Sequence, residues 1–498
     1  MINENLRSSA SSINISAKWI KWLSVFFGVA AVVLGIVFAY LVGQFGLIVL
    51  LAIPLLLIFL VSLGQPLLGL IAFIAITFIQ LSEIGIQYHG LPSIAQPLAG
   101  LLLVLIVIRI VLFGERPEGW MRAGPIIVVF ALVWFSSLLH AGNFSAALDA
   151  FVGFAKDALG AFIVIFFIQK PNSLKGAIWS VIFAGLLMSS VSIFQSVTNT
   201  YGNSYWGFGG WEFQNSGSTV NHRLTGPYAN PNAFAQVLVF MIPLAIDRLW
   251  HERNTALRLV AGFAAGLGIL TIIFTYSRGG FVALLFTISL LLLFRRPNIL
   301  PLLLIAALGI GVIQFIPDNY NLRILSLFQL TDLQGNKLTD QSFLGRKSEN
   351  TVAWQMFLDN PILGVGIGNF PLHYQEYSRL VGLDPRRVER APASLVLEIF
   401  SEQGLIGVAF FVLLMIVIFR EIRSARENFA ISGLLDESYI VIALTVGFAG
   451  YLFMSINKNS AYSNVLWVII GILLAAGQTA YNVRLSSKEK DDSPLRFN

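Results

Sequence analysis

Long apolar stretches separated by short polar ones dominate this chain. A helix needs roughly 20 apolar residues to cross a bilayer, fewer where neighbours cover its ends. By that measure the pattern predicts about fourteen spans. They lie at 19–40, 46–63, 66–81, 97–113, 124–139, 147–168, 176–197, 233–249, 259–276, 280–294, 299–315, 395–419, 439–456 and 463–480. The longest polar interval, 316–394, separates the eleventh span from the twelfth. The pattern therefore predicts an all-α, polytopic membrane protein with one long loop late in the chain. It divides into N-terminal spans (1–200), a core carrying the loop (201–420), and C-terminal spans with a tail (421–498).

Composition agrees. The chain is 56% hydrophobic and 12% charged, where a soluble domain carries about 25% charged residues. There is no cysteine, which excludes disulfides and thiolate metal ligands. The first apolar segment lacks a short core followed by a small-residue cleavage site, so a retained first helix is expected. No paired, Gly/Pro-broken segments suggest an inverted-repeat transporter. The net charge of +6 is modest, and no nucleic-acid partner is expected.

The placement of charge says more than its sum. With the N-terminus cytoplasmic, Lys and Arg gather on the inner side, as the positive-inside bias requires. Examples are Lys18 and Lys21, Arg109, Arg116 and Arg122, Arg295 and Arg296, and the tail residues Arg484, Lys488 and Lys490. Both termini are then cytoplasmic and 316–394 lies outside, on the periplasmic face.

Three polar pieces on that outer side carry arginine. The first ends in HRLTGPYANPNAF, where Gly226-Pro227 and Asn230-Pro231-Asn232 form turns that place Arg223 above the next helix. In the second, Ser277-Arg278-Gly279-Gly280, Arg278 stands at a span end and the two glycines permit a tight reversal. In the third, Gly345-Arg346 leads into an amphipathic helix in which Val352, Trp354 or Gln355, and Phe357-Leu358 recur at helical spacing. Asp359-Asn360-Pro361 ends that helix, and Gly364-Val365-Gly366-Ile367-Gly368 follows as a turn. No Lys-Ser/Thr follows those glycines, so a phosphate-binding P-loop reading is poor. Arg386, Arg387 and Arg390 close the loop with planar, permanently charged donors suited to phosphate oxygens.

Acidic residues add to this. Glu398 and Glu402 share a helix face after the loop. Asp149 and Lys156-Asp157 lie in the sixth span, where charge is costly, and lining a polar cavity or tying helices together are both open readings. His222 and His373 lie near the outer motifs.

Taken together, these motifs resemble the O-antigen ligase and polymerase superfamily. They are Arg223-x-x-Gly226, Ser277-Arg278-Gly279-Gly280, Gly345-Arg346, Asn360-Pro361-x-x-Gly364-x-Gly366-x-Gly368-Asn369-Phe370, Leu397-Glu398, and Glu402-x-Gly404-Leu405-Ile406-Gly407. The resemblance implies a GT-C-like helical bundle at the bacterial inner membrane. It implies a glycosyltransferase that moves a glycan from undecaprenyl pyrophosphate to another lipid-linked glycan or to a lipid A-core acceptor. Arg278, Arg346 and Glu398 would be catalytic. Arg223, Asn232, Tyr374, Arg386, Arg387 and Arg390 would bind substrate. No Asp-x-Asp pair lies on the outer side, so no metal or cofactor is expected. One departure is plain: where the family carries a histidine before the Leu397-Glu398 helix, this chain has Ala393. A bicarbonate or small-anion transporter-like protein, and an inactive relative, are the alternative readings.

Overall fold

The structure, a computed structural model, describes residues 48–115, 120–216, 219–295, 341–381 and 390–492. The chain forms two compact units, residues 1–60 and 61–498. Helix α1 (Ile48–Gly64) is the first described element. The larger unit contains α2 (Pro66–Ile79), α3 (Leu81–His89), α4 (Ala95–Phe113), α5 (Trp120–Ser137), α6 (Phe144–Phe167) and α7 (Pro171–Val197). A hairpin follows, β1 (Trp211–Ser216) and β2 (Thr219–Leu224), then α8 (Pro231–His251), α9 (Thr255–Phe274) and α10 (Arg278–Arg295). The remaining elements are α11 (Gln341–Asp359), α12 (Phe370–Val381), α13 (Leu395–Ile431), α14 (Leu435–Ser455) and α15 (Asn464–Asp492).

This is an all-α polytopic membrane protein. Among the described residues, eight helices are long and apolar enough to span a membrane, or nine if the bent pair α2 and α3 counts as one span. Two shorter apolar helices, Gly124–Ser137 and Arg278–Phe294, add to these. Each predicted span that falls on described residues meets a helix, but α13 and α15 run on to Ile431 and Asp492, beyond the predicted ends at 419 and 480. The expected spans at 19–40 and 299–315 lie outside the described residues, as do Arg386 and Arg387. The third span is broken at Gln80, whose left-handed backbone (φ 59°) turns α3 by 57° from α2.

Helix α8 is largely buried, packed by α7, α9, α10 and α14. Its start is fixed by sequence. Asn230 caps it, its side chain accepting from the amides of Asn232 and Ala233, and Pro231 occupies the first turn where a missing N–H costs nothing.

At the far end of α8 an ion network joins three helices. Arg248, almost fully buried, donates to Asp247 (2.6 Å) and Asp436 (2.7 Å), while Lys175 reaches Asp436 (2.8 Å) and Glu437 (3.0 Å). Removing one member of a buried pair strands the other, at roughly 3–5 kcal/mol. Arg248→Met is therefore expected to lower the unfolding midpoint of the purified protein in detergent by far more than Arg423→Met, whose partner Glu427 is exposed.

The hairpin was not legible in the sequence, where 197–232 reads as loop. Its register sets Glu212 opposite Arg223, the cross-strand position at which opposite charges attract.

Candidate active site

The long loop and the start of α13 are locked together through a break in the helix. Gly404 lies within α13 at φ 62°, ψ −158°, a backbone region essentially reserved for glycine. In an unbroken helix the amides of Leu405 and Ile406 would donate to the carbonyls of Ser401 and Glu402. Here Leu405 and Ile406 donate instead to Pro361 (2.8 Å) and Ile362 (3.3 Å). The freed carbonyls of Ser401 and Glu402 accept from Val365 (2.9 Å) and Gly366 (3.0 Å). The 361–366 segment thus substitutes for one helical turn. Inside a membrane protein such replacement is obligatory, since an unpaired backbone group there costs several kcal/mol. The two segments touch so closely that a Cβ on Gly364 would lie 2.4 Å from the Glu402 carbonyl carbon, and one on Gly404 2.5 Å from Ile362 oxygen.

This also settles what the glycine-rich turn does. Gly364, Gly366 and Gly368 all have positive φ. Beyond the two amides already spent on α13, Ile367 N donates to Ser137 Oγ (3.0 Å) and Gly368 N to Tyr462 Oη (3.0 Å). Asn369 N donates to Gly366 O (3.2 Å) and Phe370 N to Glu402 Oε1 (3.3 Å). Every amide from Val365 to Phe370 has an internal acceptor, so none is left to cradle a phosphate. Asn369, fully buried, accepts from Asn143 N at 2.7 Å and pins the turn to the start of α6.

The expected amphipathic helix forms as α11, with a different inward face. Val352, Ala353, Met356 and Phe357 are buried, whereas Trp354 and Leu358 are about half exposed (47% and 52%). At 3.6 residues per turn, 352, 353, 356 and 357 form one stripe and 354 lies off it. Tyr374 from α12 completes that core: it is fully buried and hydrogen-bonds Ser348 at 3.0 Å. Its ring helps build the loop's own interior. Arg390 pairs with Glu349 at 2.5 Å, one helical turn from Arg346.

The other two arginine pieces are joined directly. Arg223 Nε donates to Thr275 O (2.9 Å), at the α9–α10 turn, while its Nη1 holds Glu212 (2.7 Å). Ser277 Oγ donates to Asn232 Oδ1 (2.7 Å). Arg278 is the first residue of α10. The reversal itself is not made by the glycines. Tyr276 takes the positive φ (50°), and Gly279-Gly280 lie in the first turn of α10. Gly280 is needed for packing, because a Cβ there would meet Ala235 Cβ of α8 at 2.7 Å.

A seam of polar contacts connects these arginine turns to the loop lock. Gln236 Nε2 donates to Tyr451 O and to Ser455 Oγ, and Ser460 bonds Ser455. Ala461 N donates to Glu398 Oε2 (3.2 Å), and Tyr462 Oη to Glu402. Glu398 and Glu402 are both buried; both accept from the 456–463 connection, and Glu402 also accepts from the loop through Phe370 N. Ala393 is buried just before α13, and two residues later Leu395 N donates to Lys458 O (3.2 Å). Burial holds the Lys458 ammonium below its usual range, against the opposing pull of the Glu398 carboxylate. Burial, with the carboxylates of Glu402 and Glu398, keeps Tyr462 protonated far above the ordinary tyrosine range, so it remains a donor to Glu402.

Lys458 and Tyr462 were missed by sequence reasoning. The available signal was the unusually polar run Asn457-Lys458-Asn459-Ser460 in a short connection between two spans.

Beside this seam a cavity of about 650 Å³ opens, with Asp149, Lys156 and Asp157 of α6 in its wall together with Tyr228 and Tyr462. Asp149 and the Lys156-Asp157 pair thus share one polar cavity.

Comparison with known proteins places the same features in context. Residues 263–412 match the family described as O-antigen ligase, a stretch that contains Arg278, Arg346, the glycine turn and the Gly404 break. The teichuronic acid biosynthesis protein TuaE of Bacillus subtilis (strain 168) is 25% identical over 400 residues, 76% of either chain. The O-antigen ligase of Salmonella typhimurium (strain LT2) is 26% identical over 247 residues, 48% of this chain and 57% of that ligase.

Proposed function

From a chain that belongs to the O-antigen ligase superfamily, a group of glycan-processing membrane proteins of ligase or polymerase type, we propose a specific reaction. The protein transfers a glycan from an undecaprenyl-pyrophosphate carrier to an acceptor hydroxyl at the outer face of the inner membrane, with both termini cytoplasmic. Arg223, Arg278 and Arg346 hold the pyrophosphate. The observation that carries this reading is the direct joining of the Arg223 loop to the Ser277-Arg278 turn through Thr275 and Asn232. That joining fixes two guanidinium-bearing segments before any ligand arrives, and preorganised charge is what stabilises a leaving anion most strongly.

As the acceptor oxygen attacks the anomeric carbon, the bond to the pyrophosphate oxygen breaks and the pyrophosphate leaves with an added negative charge. The acceptor hydroxyl gives up its proton to a base. Glu398, held at one oxygen by the Ala461 amide, is assigned that role, since position 393 offers only a methyl group. The relatives are named for teichuronic acid biosynthesis and as an O-antigen ligase, which supports glycan transfer as the class of reaction.

In cells, Arg346→Ala is expected to abolish the glycan product at unchanged protein level, and Arg346→Lys to restore only a fraction. Product of wild-type amount and length from Arg346→Ala would remove this residue from the site.

A further inference from the structure

The cavity beside the seam is lined, among the described residues, by carboxyl groups and no guanidinium, so its chemistry points away from a pyrophosphate. Its volume, about 650 Å³, falls in the range of roughly 300–1,000 Å³ typical of small-molecule sites. Among its described lining residues three carry carboxyl groups (Glu83, Asp149, Asp157) and one an ammonium (Lys156). Lys156 and Asp157 lie about 20 Å along α6 from its Asn143 cap, at 1.5 Å per residue, deep within a bilayer core of about 30 Å. Charge at that depth persists where it faces a water-filled pathway or a ligand. Among the described residues, none hydrogen-bonds the Asp149, Lys156 or Asp157 side chains, so they do not tie helices together. Gly153, on the same stripe of α6, has no atom within 4 Å of the place a Cβ would occupy, which leaves the cavity open at its wall.

Two tyrosines link this space to the proposed transfer site. Tyr228 follows Arg223 in the same loop and donates to Phe78 O. Tyr462 bonds Glu402 and the Gly368 amide. A space rich in carboxyl groups repels an anion and bonds paired hydroxyls or ammonium groups.

We propose that this cavity is a sugar subsite, taking uncharged or amino-bearing sugar residues and excluding acidic ones, so that the glycan and its pyrophosphate are bound by separate sets of groups. The assignment rests on the glycan-transfer reading, but its test does not.

The full-length protein in nanodiscs is titrated with trimers of N-acetylglucosamine, glucosamine and galacturonic acid, reading the thermal unfolding midpoint. At least one of the first two is expected to raise the midpoint, and the galacturonate trimer to leave it unchanged. Gly153→Leu, which fills open space, should weaken that effect at least tenfold, while Gly153→Ala should change it little. A galacturonate trimer that binds best, no response to either of the other trimers, or a Gly153→Leu protein that responds like wild type would each overturn the subsite. A parallel titration with sugar-free undecaprenyl pyrophosphate separates the two claims. Gly153→Leu should leave that binding intact, whereas Arg278→Ala should weaken it. Pyrophosphate binding indifferent to Arg278→Ala would sink the transfer reading and leave the trimer result standing.

Discussion

Gly404→Ala is expected to leave almost no folded protein in the membrane. The alanine would have to adopt φ 62°, ψ −158°, at a cost of about 1–3 kcal/mol for backbone alone. Its Cβ would also meet the Ile362 carbonyl oxygen at 2.5 Å and Gly364 N at 2.8 Å. Neither is the tip of a flexible side chain. Relief requires the 361–366 segment to withdraw from α13, which breaks the four exchanged backbone hydrogen bonds together. Each unsatisfied group then costs about 1–3 kcal/mol, against a total stability of only about 5–15 kcal/mol. Size-exclusion profiles and unfolding midpoints of solubilised protein read this directly. A Gly404→Ala protein with the wild-type profile and midpoint would show that the exchange does not hold the loop. Gly433→Ala is a suitable control: Gly433 also has positive φ (75°), but a Cβ there meets nothing within 4 Å.

That break explains what was and was not legible in the sequence. Apolar runs announce helices because a bilayer admits little else, and the predicted spans met helices wherever residues are described. The end of α11 at Asp359 and the glycine turn after it were also readable, since Pro and Gly restrict or free the backbone locally. The pairing of that turn with Gly404 was not. It depends on which carbonyl accepts from which amide across a gap of forty residues, and no local preference records it. The motifs Asn360-Pro361-x-x-Gly364 and Glu402-x-Gly404 could be listed side by side without any sign that they are two halves of one joint.

The site shows the same division. Arg223, Asn232 and Arg278 were legible as polar residues on short outer turns, and the structure brings their segments together. Tyr374 was legible as polar but stands in the loop's interior, because α12 turns it toward Ser348. Gly279-Gly280 looked like a reversal and proved to be helix packing, because the left-handed residue is Tyr276. Lys458 and Tyr462 come from the last short connection, about sixty residues beyond Glu398 and Glu402, and only packing reveals their proximity.

Arg278→Ala is the second large effect. Losing one preorganised charge at a leaving group costs transfer by roughly 10²–10³-fold. The same change leaves the α9–α10 reversal in place, since Tyr276 and the Ser277–Asn232 bond set it. Activity should therefore fall while the unfolding midpoint moves little. Arg278→Lys should recover part of the rate, because a point charge replaces a planar fork that can bond two oxygens at once. An Arg278→Ala protein with normal glycan product would separate this residue from the chemistry.

The most direct measurement is equilibrium binding of undecaprenyl pyrophosphate to the purified full-length protein in nanodiscs, wild type against Arg278→Ala. The account predicts an affinity at least tenfold weaker in the variant, at an unchanged unfolding midpoint. Equal affinity in the two proteins would contradict it.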